Sequence, residues 1–460
     1  MKKIISILLC ILILLPLLVA CTDNKDQPVV TTPLLRIGIL SDTHINASVR
    51  HNVYDRLEKA LMFYKEKGVD GILITGDLQD NRTDPATAVY AMEDFQDIWN
   101  RVFPENINDL TGEYVEPMFI YGNHDTALVE QQYWFDSIGS EYEDAWIKEI
   151  KGYQFVGVHY TKEDETLVEK LLEQAKNASP DKPFFYAQHV PMAGTAMGGV
   201  SSYEGNEIPL HDELMRSYNC VVFSGHTHTP ITDERAIWQS NNKRDAQFTA
   251  VSCGTLHYGF LKDFSAFEIN GDEYQTQQGI YMVVDGSQIT LERYSFTDLE
   301  MVYDNGIAKI DSSAAKLIGA PWKFDAMQKS NRPYDHNSRA ETACQPVFPD
   351  DAIIDITELT ANSVTVTVPA ATVDAPEEFS DLVQSYEIQA VDPITGEVVT
   401  SAQIAAQYHV DTEPSRLDQP ITIKLTGLAP GSNYTLNVYA RECYQKASEP
   451  ISVQIETLAQ

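Results

Sequence analysis

Positive charge is scarce in this chain. Its 460 residues carry 33 Lys and Arg against 67 Asp and Glu, a formal net charge of -34. An acidic field of that size repels a polyanion, which argues against nucleic acid as a substrate and suits a soluble acidic surface. Cysteine is also scarce. There are six, and none stands in a C-x-x-C pair, so spacing offers no paired-thiol motif. After the first twenty residues no apolar run approaches the length of a membrane-spanning helix. No internal repeat and no long low-complexity tract is present. The hydrophobic content of 43% is enough for a sizeable core and excludes a disordered chain. Length alone suggests roughly two to four domains.

The N-terminus reads as a leader. Lys2 and Lys3 precede the apolar run Ile4 to Val19, the pattern of a Sec signal peptide. A retained membrane helix is the alternative, but the run is short for that and Pro16 interrupts it. Leu18-Val19-Ala20-Cys21 resembles a bacterial lipobox, which implies cleavage before Cys21 and lipid on its sulfur. Removing residues 1–20 takes the two lysines with it and moves the net charge to about -36. Thr22 to Pro33 is polar and aperiodic, so residues 21–33 read as a tether. The expected location is outside the cytoplasm, anchored to a membrane at the periplasmic face or the cell surface. Cys10 leaves with the leader. Cys220, Cys253, Cys344 and Cys443 remain; an exported compartment permits disulfides, and buried free thiols are the equal alternative.

Strands then alternate with helices. Leu35 to Leu40 reads as a buried strand and leads into Ser41-Asp42-Thr43-His44. A helix with Val53, Leu57, Ala60, Leu61 and Tyr64 on one face follows, with Gly68 placed to end it. Gly71 to Thr75 is a strand leading into Gly76-Asp77. Asp84-Pro85 reads as an N-cap followed by proline at the first helical position, and Val89, Met92, Phe95 and Trp99 line that helix. Met118 to Tyr121 leads into Gly122-Asn123-His124-Asp125, and Tyr153 to His159 is another β-rich run. A helix with Leu167, Leu171, Leu172 and Ala175 inward comes next. Phe184 to Gln188 leads into His189, and Val221 to Ser224 leads into Gly225-His226-Thr227-His228. Such alternation predicts an α/β core, in which ligands gather beyond the carboxyl ends of the strands. Five polar blocks behind five strands match that rule.

From Phe248 to Phe296 the pattern turns to strands. Gly279 to Val284 and Gln288 to Leu291, joined at Asp285-Gly286, predict a hairpin, and these strands are expected to complete a second sheet. Residues 301–349 read as a connector, with Asn331-Arg332-Pro333 its least packed part. Residues 350–460 are all-β by alternation, as in Val364 to Val368 and Ile421 to Leu425. Leu428-Ala429-Pro430-Gly431-Ser432-Asn433-Tyr434 resembles the tyrosine corner of fibronectin type III domains, in which the Tyr hydroxyl bonds back to the corner backbone. The expected C-terminal fold is therefore an immunoglobulin-like, fibronectin III-like sandwich.

Asp42-x-His44, Gly76-Asp77, Gly122-Asn123-His124-Asp125, His189 and Gly225-His226-x-His228 form an ordered set. Each block alone has an ordinary reading: an Asx turn, a helix cap, a satisfied core histidine. Together, over residues 34–300, they resemble the calcineurin-like metallophosphoesterase superfamily. The resemblance implies a two-sheet αββα sandwich and two divalent ions such as Mn, Fe or Zn, which suit imidazole and carboxylate. Two dications roughly 3.5 Å apart clamp the attacking and leaving oxygens of a phosphoryl group and need an anion between them. It implies a first ion held by Asp42, His44, Asp77 and His228, with Asp77 bridging to a second held also by Asn123, His189 and His226. A metal-bridging hydroxide would attack phosphorus in line. His124, oriented by Asp125, would stabilise the equatorial oxygens or protonate the leaving alkoxide.

Other candidates have quieter readings. Asp80 and Asn81 line the pocket or form a turn, and the turn is preferred. His257 touches substrate or is an ordinary core or surface histidine, the latter preferred, and His159 reads as structural. Gly194 to Gly205 is a flap or a plain surface loop. The expected activity is hydrolysis of a small phosphate mono- or diester. A different class remains open: a surface glycan- or protein-binding lipoprotein with structural metals. The β module is read as a spacer between enzyme and membrane.

Overall fold

The computed structural model describes residues 34–46, 50–80, 84–128, 145–160, 165–197, 217–242, 247–259, 276–304, 307–406 and 418–460. The expected leader, Cys21, the tether, Asn81 and most of the Gly194 to Gly205 stretch lie outside them. Among the described residues no helix is long and apolar enough to cross a membrane. Cys220, Cys253, Cys344 and Cys443 are all free thiols.

Leu35–Leu40, Gly71–Thr75 and Glu116–Ile120 pair in parallel at one end of a seven-stranded sheet, with Glu116–Ile120 at its edge. Leu35, Ile37 and Ile39 send their side chains into one apolar layer and Leu40 into another, so this strand is buried on both faces, as parallel strands are. The second sheet has six strands, with Tyr153–Val158, Phe184–Ala187, Cys220–Ser224 and Thr249–Ser252 parallel in its middle. The two sheets face each other across a layer built from Ile37, Leu73, Met118, Phe185, Phe223 and Met282.

Helices Arg50–Lys67 and Pro85–Val102 cover the outer face of the first sheet with Leu57, Leu61, Tyr64, Phe95 and Trp99. Burying each such side chain contributes roughly 1.5–3 kcal/mol. The second of these helices starts as its sequence dictates: Asp84 accepts from the N–H groups of Ala86 and Thr87, and Pro85 needs no partner there. The first ends at Gly68, whose φ of +66° suits glycine. Helix Glu165–Ala178 covers the second sheet with Leu171, Leu172 and Ala175. The result is the expected αββα sandwich.

Two expectations need correcting. Thr249–Ser252 joins the second sheet, but the hairpin Gln278–Asp285 and Gln288–Ser295 joins the first, where Met282 lies opposite Ile37. Local alternation specifies a hairpin; which sheet receives it depends on a partner 245 positions away in the chain, as that register shows. The second concerns residues 301–349. Trp322–Asp325 and Lys316–Leu317 both pair with Gln288–Ser295 and extend the first sheet. Arg332, placed in the least packed part, is 3% exposed. Its guanidinium donates to the carbonyl oxygens of Phe248 and Ser240 and to Thr249 Oγ1, satisfying groups that would otherwise be buried unpaired.

The C-terminal strands form a three-stranded sheet, Asp355–Leu359, Ser363–Val368 and Ile421–Thr426, and a four-stranded sheet of Val398–Ala405, Val383–Val391, Asn433–Glu442 and Ile451–Glu456. Val364, Val366, Ile388, Leu436 and Val438 fill the space between. The Ala429 N–H donates to Tyr434 Oη at 3.0 Å, the back-bond expected of the corner. Residues 34–460 form one compact unit.

Candidate metal centre

Every polar block sits at the carboxyl end of a parallel strand, and the loops are stitched together there. The N–H of Asp42 donates to Gly76 O, that of His44 to Asp77 O, and that of Gly225 to His189 O. The backbone is bent sharply at these places. Asp42, His44, Asp77, His226 and His228, five of the seven expected ligands, have φ between 45° and 68°. Strain of this kind persists only where surrounding structure over-determines it, and it concentrates at functional sites.

Two ligand sets result. Asp42, His44, Asp77 and His228 bring one ligand atom each within 4.8 Å of one another, and Asp77, His189 and His226 do the same. The atoms that meet are acceptors. His228 Nδ1 donates to Tyr258 O at 2.9 Å, which in the neutral ring leaves Nε2 as a lone pair. That Nε2 lies 3.0 Å from Asp42 Oδ1 and 3.1 Å from His44 Nε2. His189 Nδ1 donates to Thr75 O at 2.8 Å. Its Nε2 lies 3.2 Å from Asp77 Oδ2 and 3.0 Å from Asn123 Oδ1, and His226 Nδ1 is 2.9 Å from the same Asn123 oxygen. Carbonyl partners on the far ring nitrogen are how proteins fix the tautomer of metal-ligating histidines.

Converging lone pairs attract cations, either protons or metal ions. Burial opposes a charge on His189, yet Asp77 beside it raises its pKa to about 9. Burial likewise opposes protonation of His228, and Asp42 overcomes it. Burial alone would raise Asp42, but His228 and His189 hold it down at about 2. Asp77 is pulled well below the carboxylate range by His189, His44 and His124 against the same burial. The glycines beside the ligands leave no spare room. A Cβ on Gly122 would stand 2.3 Å from Asp77 Oδ1, and one on Gly225 2.5 Å from Asp42 Oδ2. The residues present therefore fit a pair of divalent ions: nitrogen and oxygen donors, a carboxylate common to both sets, and fixed tautomers.

His124 sits at the open side, with 15% of its side chain exposed. Its orienting partner is not the one expected. Asp125 is fully buried and accepts the N–H groups of Gly122, Leu78 and Gln79 at 2.7, 3.2 and 3.1 Å, tying two ligand loops together. Burial and the nearby Asp77 push its pKa to about 7. The carboxylate on the His124 ring is Asp80, with Oδ1 2.7 Å from Nδ1; burial raises Asp80, and its bonds to His124 and His44 more than reverse that. Adjacency in sequence suggested Asp125, but in this tight turn neighbouring side chains diverge. Asp80, three residues after Asp77, swings back to the site.

His257 proves to be beside the centre. Its ring centroid is 5.9 Å from that of His44, and burial pulls its pKa to about 3. Tyr258, which no motif singled out, supplies the carbonyl for His228 and sets its ring centroid 4.2 Å from that of the same imidazole, tilted by 42°. Nothing in the spacing signalled it.

His159 is structural as expected. Its Nδ1 accepts the Tyr121 N–H at 3.1 Å, and its ring stacks on Tyr121. Burial lowers its pKa from 6.5 to about 3. The unfolded chain then binds a proton near pH 6.5 that the folded chain refuses until about pH 3. This contribution to stability is complete above pH 6.5 and is lost as pH falls through that window. In chelator-stripped protein, His159→Gln is expected to lose less stability than the parent between pH 7.5 and 5. Urea midpoints at the two pH values measure it, and a parent–variant difference that does not change with pH would contradict it.

A buried centre of nitrogen and carboxylate donors at the strand ends of an αββα sandwich is the kind of site at which a metal-dependent hydrolase works. Residues 35–230 match the family model described as calcineurin-like phosphoesterase, and the chain carries a phosphoesterase domain of that kind. Members of that family use two divalent metals, in keeping with the two ligand sets here. Among curated proteins none matches the chain. Similar solved structures include a dimetal phosphatase from Danio rerio, at 9% identity and TM-score 0.39, over 56% of this chain and 95% of that one. Another is the purple acid phosphatase PPD1 from yellow lupin (Lupinus luteus) seeds, at 16% identity and TM-score 0.39. There the match covers 59% of this chain and about half, 53%, of the lupin chain. A predicted phosphoesterase from Streptococcus pneumoniae matches at 13% identity and TM-score 0.26, over 60% and 97% of the two chains.

Proposed function

We propose that this protein hydrolyses a small phosphate mono- or diester with water attacking in line, from a lipid-anchored position outside the cytoplasm. The observation that carries the chemistry is the convergence of acceptor atoms from Asp42, His44, His228, His189, Asn123 and His226 on either side of Asp77. Asp42, His44 and His228 would hold one ion and Asn123, His189 and His226 the other, with Asp77 common to both. When bound, the two ions supply charge for the phosphate oxygens and lower the pKa of water. The chain supplies the rest. His124, pinned by Asp80, offers its other ring nitrogen to an equatorial oxygen or to the leaving oxygen, and the buried loops keep the ligands from rearranging. The net charge of -34 favours a small ester over a polyanionic chain. Lys2, Lys3 and the Leu18 to Cys21 stretch support export and acylation, and the Tyr434 back-bond supports a fibronectin III-like reading of residues 350–460.

The test uses protein stripped with chelator and reloaded with Mn2+, assayed on nitrophenyl phosphate and bis(nitrophenyl) phosphate. Turnover is expected to vanish on stripping and return on reloading, with the ratio of the two rates giving the ester preference. A protein that binds two ions and turns over neither ester would favour the surface-binding reading instead.

A further inference from the structure

We propose that the C-terminal β module is a working part of the metal centre: through Gln384 it fixes Asp233, and with it the loop that carries His226 and His228. The inference rests on the reading of those two histidines as ligands.

The loop's backbone is strained, with φ of +68° at His226 and +51° at His228, so both of its ends must be held. On the near side, the N–H groups of Gly225 and His226 bond to His189 O and to Asp42. On the far side the hold begins three residues on. Ile231 N–H donates to Gln278 Oε1 at 2.9 Å, and Arg293 Nη1 donates to Ile231 O at 2.8 Å. Arg293 Nη2 also lies 2.9 Å from Glu234 Oε1, and Trp322 Nε1 donates to Glu234 Oε2. Between these anchors lies Asp233, 1% exposed. Its carboxylate accepts Arg235 N–H, Nε and Nη2 from its own turn. The one partner it has from another part of the fold among these bonds is Gln384 Nε2, at 3.0 Å.

Gln384 belongs to the β strand Val383–Val391 and is itself 1% exposed. Its Oε1 accepts Gln445 Nε2, and its backbone carbonyl accepts the Ala406 N–H, so the amide that meets Asp233 is not free to swing away. The same seam holds a buried ion pair, Arg339 with Asp381, whose guanidinium lies 3.5 Å over the Phe379 ring. Ser380 Oγ accepts the Ala320 N–H at 2.6 Å. A seam that holds a buried ion pair is costly to open, because separation leaves each charge without its partner. A spacer needs none of this. The arrangement sets the module against Asp233, five residues beyond His228.

The experiment is Mn2+ titration of chelator-stripped full-length protein, followed by heat rather than turnover. Gln384→Leu is expected to weaken Mn2+ binding by about tenfold, the lower range for losing a partner behind a ligand. Val438→Ala, which opens a cavity in the module core away from the seam, is the control. It should lower the unfolding midpoint at least as far while leaving Mn2+ affinity within about twofold of the parent. Should Gln384→Leu not fold, Asp233→Asn weakens the same bond from the loop side, a neutral acceptor of the same shape replacing the charged one, and a loss in the same direction is expected. Where both fold, the double variant should bind no worse than the weaker single one. Parent-like affinity in the seam variants, equal losses in Val438→Ala, or additive losses in the double variant would overturn the proposal. A parent that binds two Mn2+ and hydrolyses no ester would refute the phosphoesterase reading and leave this coupling intact.

Discussion

Asp77→Asn is expected to reduce turnover by at least about a thousandfold, the upper range for deleting one preorganised electrostatic group, and to lower metal content at the same time. Asp77 is the carboxylate common to both ligand sets. Its Oδ2 is 3.2 Å from His189 Nε2 and 3.8 Å from His44 Nε2, and its Oδ1 accepts the His124 N–H at 2.8 Å. Asparagine keeps the shape and removes the charge that would let two dications be held close together. The substitution also withdraws the attraction that raises His189, so that imidazole should become easier to deprotonate. Its fold should survive, because the side chain is replaced by one of equal volume. Metal analysis beside the kinetics decides the matter: a variant that keeps two tightly bound ions and stays within tenfold of parental turnover would show that Asp77 is not shared.

His124→Ala should behave differently. It is expected to retain both metals and lose about 10²- to 10⁴-fold in turnover, the range for a positioned proton donor, with KM nearly unchanged. Asp80→Asn should lose about 10- to 100-fold, as for the partner behind a catalytic or ligating histidine, because Asp80 Oδ1 holds the ring at 2.7 Å. The leaving group separates the two roles open to His124. If it protonates the departing oxygen, His124→Ala will harm an alkyl ester far more than a nitrophenyl ester. Equal damage to both would mean that it stabilises the equatorial oxygens. Loss of metal in His124→Ala would remove it from either role. Among the described residues the Asp125 carboxylate is bonded to three backbone N–H groups.

Much of the sandwich was readable because its strands are local events. Leu35 to Leu40 and Gly71 to Thr75 are apolar runs of strand length, and each polar block follows directly. Asp84-Pro85 fixes a helix start by side-chain chemistry alone. The misreadings share one physical cause. Assigning the Gln278–Asp285 hairpin to a sheet, packing Arg332 among distant carbonyls, and choosing Asp80 over Asp125 for His124 are all contacts between segments far apart in the chain or turned away from one another. Residue spacing carries no information on them.

The sequence by itself determined the donor chemistry: which nitrogens and oxygens are available, in what order, and that each follows a strand. It also determined the local devices, the Asp84 cap and the Tyr434 back-bond, since their partners lie within a few residues. Only the tertiary structure decided which acceptors face one another, which carbonyl fixes each imidazole, and that the β module reaches Asp233. Those depend on how twisted sheets and loops close in space, where a few ångströms separate a ligand from a bystander.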